Sequence, residues 1–351
     1  MDQQTRRGFL AGAAGIAAGL AGCSTGRRQS PDPVEVPQQE SPSDSRYAAV
    51  YDAIIDSVAF VGDSTGGGSG FVYDGYVITN QHVARDAETM DVRFEGGDWR
   101  EAGVTATDAY ADLAVLSTDV PDYARPLSFV DSVPPVGSEV VALGSPFGLE
   151  SSISAGIISG KNRALRNPVT NFSIPNTVQT DAGLDPGNSG GPLVTMDGEV
   201  TGINVAGAGT SVGFAISPLL AARILPELIE TGTYDHPFLG ITLLSVTPTI
   251  AEANDLDTPR GVLVVDILDS GPSNQTLQGS DGEEIVDGRR VPTGGDVLVE
   301  LAGNEIRSDA DLGTTIALEL SPGDRVPATV IRDGEEREIQ VPIGTRPEPN
   351  R

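Results

Sequence analysis

Short β-rich runs broken by glycine turns set what this chain can fold into. Gly70-Phe71-Val72-Tyr73 and Tyr76-Val77-Ile78-Thr79 flank Asp74-Gly75, a pairing that predicts a tight hairpin. The same texture runs from Tyr47 to about Gly232 and predicts an all-β barrel or sandwich. Ile224 to Thr231 reads as a short helix ending at Gly232, and His236-Pro237 marks a boundary. A second β-rich unit follows. It runs through Phe238-Leu239-Gly240-Ile241, Gly261-Val262-Leu263-Val264, Val297-Leu298-Val299 and Val326 to Val330, with a turn at Asp333-Gly334. Asp309 to Leu320 interrupts it with helical spacing, Leu312, Ile316 and Leu320 falling on one face. At 351 residues the chain has room for two domains of ordinary size and a tail.

Charge narrows the function. With 50 acidic and 22 basic residues the net charge is −28, which repels phosphate backbones and excludes a nucleic-acid role. Lys161 is the only lysine, and the acids are interspersed through apolar segments rather than gathered in blocks. This pattern resembles that of proteins adapted to molar salt, where a Debye length of about 3 Å screens the repulsion. One cysteine, Cys23, excludes an intramolecular disulfide and a cysteine zinc site, and two histidines exclude a multi-histidine centre. No metal or cofactor is expected.

The N-terminus reads as an address. Thr5-Arg6-Arg7-Gly8-Phe9-Leu10 resembles a twin-arginine export signal. The uncharged stretch from Gly8 to Gly22 spans about 22 Å as a helix, short for a bilayer crossing and suited to a signal h-region. Leu20-Ala21-Gly22-Cys23 resembles a lipobox, which makes Cys23 the expected lipidation site. Residues 1–22 are thus expected to be a signal peptide and residues 23–46, rich in Pro, Ser, Gln and Asp, a disordered tether. The destination is the outer face of the cytoplasmic membrane.

Three segments of the first domain carry chemistry. In Asp185-Pro186-Gly187-Asn188-Ser189-Gly190-Gly191-Pro192, glycines on both sides of a serine let a substrate carbonyl approach the backbone. The N–H groups of Gly187 and Ser189 are there the candidate oxyanion hole. His82 follows directly on an apolar strand in Thr79-Asn80-Gln81-His82-Val83. Asp112 precedes the apolar run Leu113 to Leu116, at the mouth of a buried strand where a carboxylate needs a partner. Asp108, on the same stretch, reads as a solvated turn residue. The order His82, Asp112, Ser189 is that of the trypsin-like triad.

Gly68-Ser69-Gly70-Phe71, Thr79 to Val83, Ala111 to Leu116 and Gly187 to Leu193 together resemble the HtrA/Deg family of serine proteases. Gly144 to Leu149, Gln179 to Ala182 and Gly213 to Ile216 add to the likeness. It implies a mainly β fold: a trypsin-like double β-barrel protease domain over residues 47–232, followed by a PDZ domain over residues 237–345. In such a fold Ser189 is the nucleophile, His82 the proton shuttle and Asp112 its orienter. Asn188 replaces the aspartate of enzymes activated by a new N-terminus, so activation by cleavage is not expected. The family orders loops instead, and Arg163 to Ile174 is expected to be a polar, irregular loop of that kind. The specificity pocket is expected near Leu184, Gly213, Phe214 and Ala215, favouring small aliphatic residues, with Asp185 a departure from the usual asparagine.

By the same resemblance Phe238, Leu239, Gly240 and Ile241 cradle a peptide carboxylate, and the helix near Leu312 lines the groove. An acidic insertion over residues 277–293 departs from the family and is read as salt adaptation. His236, beside a proline, is expected on the surface without a chemical role. Tyr47, Val50, Tyr51 and Ile54 serve either a trimer contact or core packing. The whole reads as a lipid-anchored, extracytoplasmic serine endopeptidase acting on unfolded or damaged protein, in a homo-oligomer expected to be a trimer. The alternative is a holdase chaperone or peptide-binding adaptor with a silent protease domain.

Overall fold

Six strands close the first barrel: β1 (Val58–Asp63), β2 (Gly66–Tyr73), β3 (Tyr76–Thr79), β4 (Thr89–Phe94), β5 (Arg100–Asp108) and β6 (Leu113–Ser117). The computed structural model describes residues 45–64, 66–145, 152–170, 172–205 and 212–349. Cys23, the expected signal peptide, nearly all of the expected tether and most of the Gly144 to Leu149 motif lie outside them. Around the barrel the order is β1-β2-β3-β6-β5-β4. The β2–β3 hairpin turns on Asp74 and Gly75 at φ of 48° and 81°, the left-handed pair that matches strand twist.

A second closed barrel comprises β7 (Glu139–Gly144), β8 (Ser152–Arg166), β9 (Ser173–Thr180), β10 (Pro192–Thr195), β11 (Val200–Val205) and β12 (Gly213–Ile216). Its order, β7-β8-β9-β12-β11-β10, repeats that of the first. The segment expected to be a loop, Arg163 to Ile174, is strand at its two ends, residues 163–166 in β8 and 173–174 in β9, with a turn between them. β8 and β9 extend as one long hairpin, and Asn167 Oδ1 closes its end by accepting the Val169 and Thr170 N–H groups.

Apolar faces of both barrels meet in one core. Phe71, Ile78 and Leu113 pack with Leu143, Ile203 and Ile216. Two helices seal it: α1 (Arg46–Ile54) and α3 (Pro218–Thr231). A one-turn helix, α2 (Gln81–Ala84), leads out of β3. Helix α3 starts earlier than the sequence suggests because Ser217 caps it, its hydroxyl accepting the Leu220 N–H at 3.2 Å, with Pro218 in the first turn. In α1, Val50 and Ile54 are buried and Tyr47 and Tyr51 pack against the same core. These residues therefore pack into the core, which is the second of the two uses expected of them. Arg46, at the expected end of the tether, is already helical, and with Tyr47 it holds Glu139 at the start of β7.

The second domain is built on β14 (Ile241–Ser245), β15 (Val262–Ile267), β18 (Val297–Leu301), β20 (Arg325–Arg332) and β21 (Glu335–Pro342). β19 (Asn304–Glu305) flanks β18, while β13 (Pro237–Phe238) pairs with β22 (Gly344–Thr345). Helix α5 (Asp309–Glu319) sets Leu312 into a core shared with Val262, Val264, Leu298 and Val330. The acidic insertion is an ordered hairpin, β16 (Gly282–Val286) and β17 (Arg289–Thr293), turning on Asp287-Gly288. Its Val286 and Val291 pack on Ile250 and Ala251 of helix α4 (Pro248–Ala253), so it extends the core as well as the charged surface. Among the described residues no helix is long and apolar enough to cross a membrane, and no cluster of three or more His, Cys, Asp or Glu side chains is arranged to hold a metal.

Candidate active site

Between β5 and β6 the chain turns through Asp112, which sits at φ of 56°, a conformation that is uncommon outside glycine. Two bonds hold it there: its carbonyl accepts Asn80 Nδ2 at 3.0 Å and the Gln81 N–H at 3.2 Å. The carboxylate is wholly buried. Its Oδ1 accepts the His82 backbone N–H at 2.9 Å and its Oδ2 lies 2.7 Å from His82 Nδ1. An ionised carboxylate only accepts, so this contact puts the proton on Nδ1 and leaves Nε2 with a free lone pair. The imidazole is partly exposed, which gives that lone pair access to a substrate.

Ser189 arrives on the turn before β10. Gly187 at φ of 103° and Gly190 at 84° give the turn its shape. A Cβ on Gly190 would stand 2.2 Å from both Ser69 O and Thr79 Oγ1, so only glycine lets this turn settle against the strand leading to His82. Ser69 fastens it further. The Ser69 N–H donates to Ser189 O at 2.7 Å and its hydroxyl to Gly187 O at 2.6 Å, while Oγ accepts the Ser145 N–H at 2.8 Å. Ser69 is fully buried. In the sequence it stands out only as a polar residue between glycines on an apolar strand, which marks a motif without revealing this role. Asn188 is buried beside Gly144, and its N–H donates to Asp185 O at 3.0 Å.

Of the residues expected to form a specificity pocket, Leu184, Gly213 and Ala215 lie together. Leu184 lies across Gly213, where a Cβ would come within 2.7 Å of Leu184 Cδ1, and Ala215 is buried in the same apolar cluster. Phe214 is half-buried and Asp185 is exposed.

Asp108, expected to be a solvated turn residue, is instead buried. Its Oδ1 accepts the Ala111 N–H at 2.7 Å and its Oδ2 lies 2.6 Å from His236 Nε2. His236 correspondingly does have a structural partner. It packs edge-on against Tyr110 and Tyr234 and links the second domain to the turn that bears Asp112. The contact joins positions too distant in sequence for local pattern to reveal.

In the second domain Leu239 is buried and Gly240 adopts φ of 75° against Gly271, where a Cβ would be 2.7 Å from Gly271 Cα. Phe238 to Ile241 and the Leu312–Ile316 face of α5 line one cavity of about 300 Å³. Its remaining wall is unexpected: Tyr110 and Phe172 reach it from the first domain.

Two segments of the chain match family models. Residues 68–203 match the trypsin-like peptidase domain and residues 237–343 the PDZ domain. The probable periplasmic serine endoprotease DegP-like of Pseudomonas fulva is 35% identical over 288 residues, covering 80% of this chain and 56% of that protein. The protein of the same name from Halomonas elongata is 36% identical over 289 residues, covering 80% and 57%. The chain thus spans little more than half the length of these relatives. Among solved structures, the HtrA-type protease AlgW with tripeptide superposes with a TM-score of 0.68 at 28% identity, covering 86% of this chain and 98% of that one. The serine endoprotease from Yersinia pestis gives 0.62 at 27%, covering 88% and 100%. The chain thus carries a trypsin-like peptidase domain followed by one PDZ domain, and its homologues are HtrA/DegP-like serine proteases.

Proposed function

We propose that the protein is an extracytoplasmic serine endopeptidase that cleaves unfolded or damaged proteins. The observation that carries this reading is the buried Asp112 carboxylate held 2.7 Å from His82 Nδ1, with Nε2 left free as a base. In the proposed reaction Ser189 Oγ attacks the peptide carbonyl as His82 Nε2 takes its proton. The oxyanion is received by the Gly187 and Ser189 N–H groups. His82 then protonates the leaving amine, and water repeats the sequence to release the acyl group. Asp112 stabilises the imidazolium throughout. Leu184, Gly213, Phe214 and Ala215 favour a small aliphatic side chain before the scissile bond. Such residues reach a cleft in an extended conformation only when the substrate is unfolded.

The second domain is proposed to bind peptide C-termini at Phe238, Leu239, Gly240 and Ile241. Twin-arginine export, a lipid on Cys23, trimeric assembly and adaptation to high salt complete the proposal. They rest on the N-terminal motifs, the family likeness and the net charge of −28.

The test is covalent labelling with a fluorophosphonate in molar KCl, alongside casein digestion. Labelling of the wild type that disappears in Ser189→Ala, together with casein cleavage, is expected. Absence of Ser189-dependent label would instead favour a peptide-binding adaptor.

A further inference from the structure

Arg346 is a half-buried cation without an anion. It follows β22, whose pairing with β13 brings it beside His236, and its N–H donates to His236 O at 2.8 Å. The guanidinium carbon lies 4.1 Å from the Tyr110 ring centroid, 4.0 Å from that of Phe172 and 5.7 Å from that of Phe238. Among the described residues no carboxylate stands within ion-pair distance of it. Asp108, the acid whose charge acts on it, is already engaged through both oxygens, by Ala111 and by His236. Arg346 Nε is buried and has no acceptor. Burial pushes the guanidinium below its ordinary range, and Tyr110 and Asp108 only partly oppose that.

Aromatic faces attract a cation but offer no lone pairs in the plane of its N–H groups. A guanidinium presents a planar fork of donors whose natural complement is a carboxylate, bound through two parallel bonds. Arg346 also lines the apolar cavity bounded by Phe238 to Ile241 and by Leu312 and Ile316. The acid on the cavity wall, Asp309, is occupied by Ser245, whose hydroxyl donates to it at 2.8 Å. The cavity therefore combines a surface for an apolar side chain with a cation that the Tyr110 hydroxyl partly satisfies but whose Nε has no acceptor and which has no carboxylate partner among the described residues.

We infer that Arg346 receives the terminal carboxylate of a peptide whose last, apolar side chain fills this cavity, with Tyr110 and Phe172 of the peptidase domain holding the guanidinium in place. The inference rests on the second domain's binding peptide C-termini and adds to it a specificity-determining residue beyond the Phe238–Ile241 backbone. It also makes the site composite, because part of its lining, Tyr110 and Phe172 included, comes from the other domain.

The test uses the full chain carrying Ser189→Ala, so that the probe is not cut. Fluorescein-labelled Gly-Ser-Gly-Val-Leu-Val is titrated by fluorescence anisotropy, with its C-terminus free or amidated. The free acid is expected to bind about tenfold or more tightly than the amide, the scale of a charge-assisted bidentate contact. Arg346→Met is expected to reduce that preference to about twofold or less, with the larger loss falling on the free acid. Arg346→Gln, which keeps length and polarity, carries the same expectation if the methionine variant does not fold, as judged by circular dichroism. A full preference retained in the folded variants would overturn the role of Arg346 while leaving peptide binding intact. Failure of the parent to bind either peptide would overturn the C-terminus reading, and the inference with it.

Discussion

Asp108 and Asp112 flank one turn, and each holds a histidine. Asp108 meets His236 at 2.6 Å and Asp112 meets His82 at 2.7 Å, both carboxylates being buried. Only the second pair belongs to the proposed triad, so the two acids separate under substitution. Asp112→Asn presents an amide donor where an acceptor is required and disfavours the Nδ1–H tautomer. Its kcat is expected to fall about 10⁴-fold, the scale of losing this orienter in a triad. Asp108→Asn is expected to leave the rate of Ser189 labelling close to wild type, which a labelling time course checks. Ser69 acts one step further back. Removing its hydroxyl leaves the Gly187 carbonyl and the Ser145 N–H without this partner inside the protein, a loss of about 1–3 kcal/mol. Because Gly187 carries one proposed oxyanion donor, Ser69→Ala is expected to lower kcat about tenfold to a hundredfold with KM little changed. That is a fraction of the loss when such a donor is deleted outright. A fall in thermal stability with unaltered kcat would assign Ser69 to the scaffold alone.

Within the second domain one buried ion pair joins three segments. Asp296, fully buried at the entry to β18, accepts Arg332 Nε at 2.6 Å, Arg332 Nη2 at 2.8 Å and the Gln278 N–H at 2.9 Å. Arg332 stands at the end of β20 and is held above its ordinary pKa by the hydrogen bond to Asp296. Asp296→Asn strands that guanidinium, and breaking a buried pair this way costs about 3–5 kcal/mol. Calorimetry is expected to show the second domain melting roughly 12–20 °C lower, at about 4 °C per kcal/mol for a domain of this size. Ser189 labelling below that transition should persist, because the buried residues of the peptidase core, Val50 to Leu228, all belong to the first domain. Element-level features such as these are unevenly legible in the sequence. Asp74-Gly75 and Asp333-Gly334 announce hairpins, and both turns have the left-handed pair of φ values. Asp287-Gly288 carries the same signal, yet the acidic residues around it mask the alternation that buries Val286 and Val291. The β8–β9 hairpin escapes a sequence reading because its far end is closed by Asn167 side-chain bonds rather than by apolar alternation. The candidate triad positions stand out in the sequence because glycine and apolar-strand contexts are local. The Asp108–His236 pair and the Arg346 stack arise only when the domains dock.

Across the whole molecule, charge is the least compensated quantity. With 50 acids against 22 bases, most carboxylates have no cationic partner of their own. Several pairs that do form, such as Arg260–Glu336, Arg290–Glu283 and Arg337–Asp333, are exposed. Exposed pairs contribute about 0–1 kcal/mol each and weaken further in salt, so they cannot offset repulsion spread over the surface. The fold must instead rely on its apolar cores, with mobile counter-ions lowering the repulsion. At about 0.1 M salt, repulsion reaches over about 10 Å; at about 1 M it reaches about 3 Å, less than the spacing of most surface charges. The thermal midpoint is therefore expected to climb by roughly 10 °C between about 0.1 and 2 M KCl, corresponding to about 3–5 kcal/mol. NaCl should act equally, since screening depends on ionic strength. A control separates screening from strengthened apolar burial. Replacing exposed Asp52, Asp91, Asp98, Asp122 and Asp257 by Asn should flatten the low-salt part of the curve while sparing the high-salt part. If the variant keeps the full low-salt slope, the benefit of salt lies in the cores rather than in the charge. A midpoint that stays level from dilute buffer to molar KCl would remove the case for salt adaptation altogether.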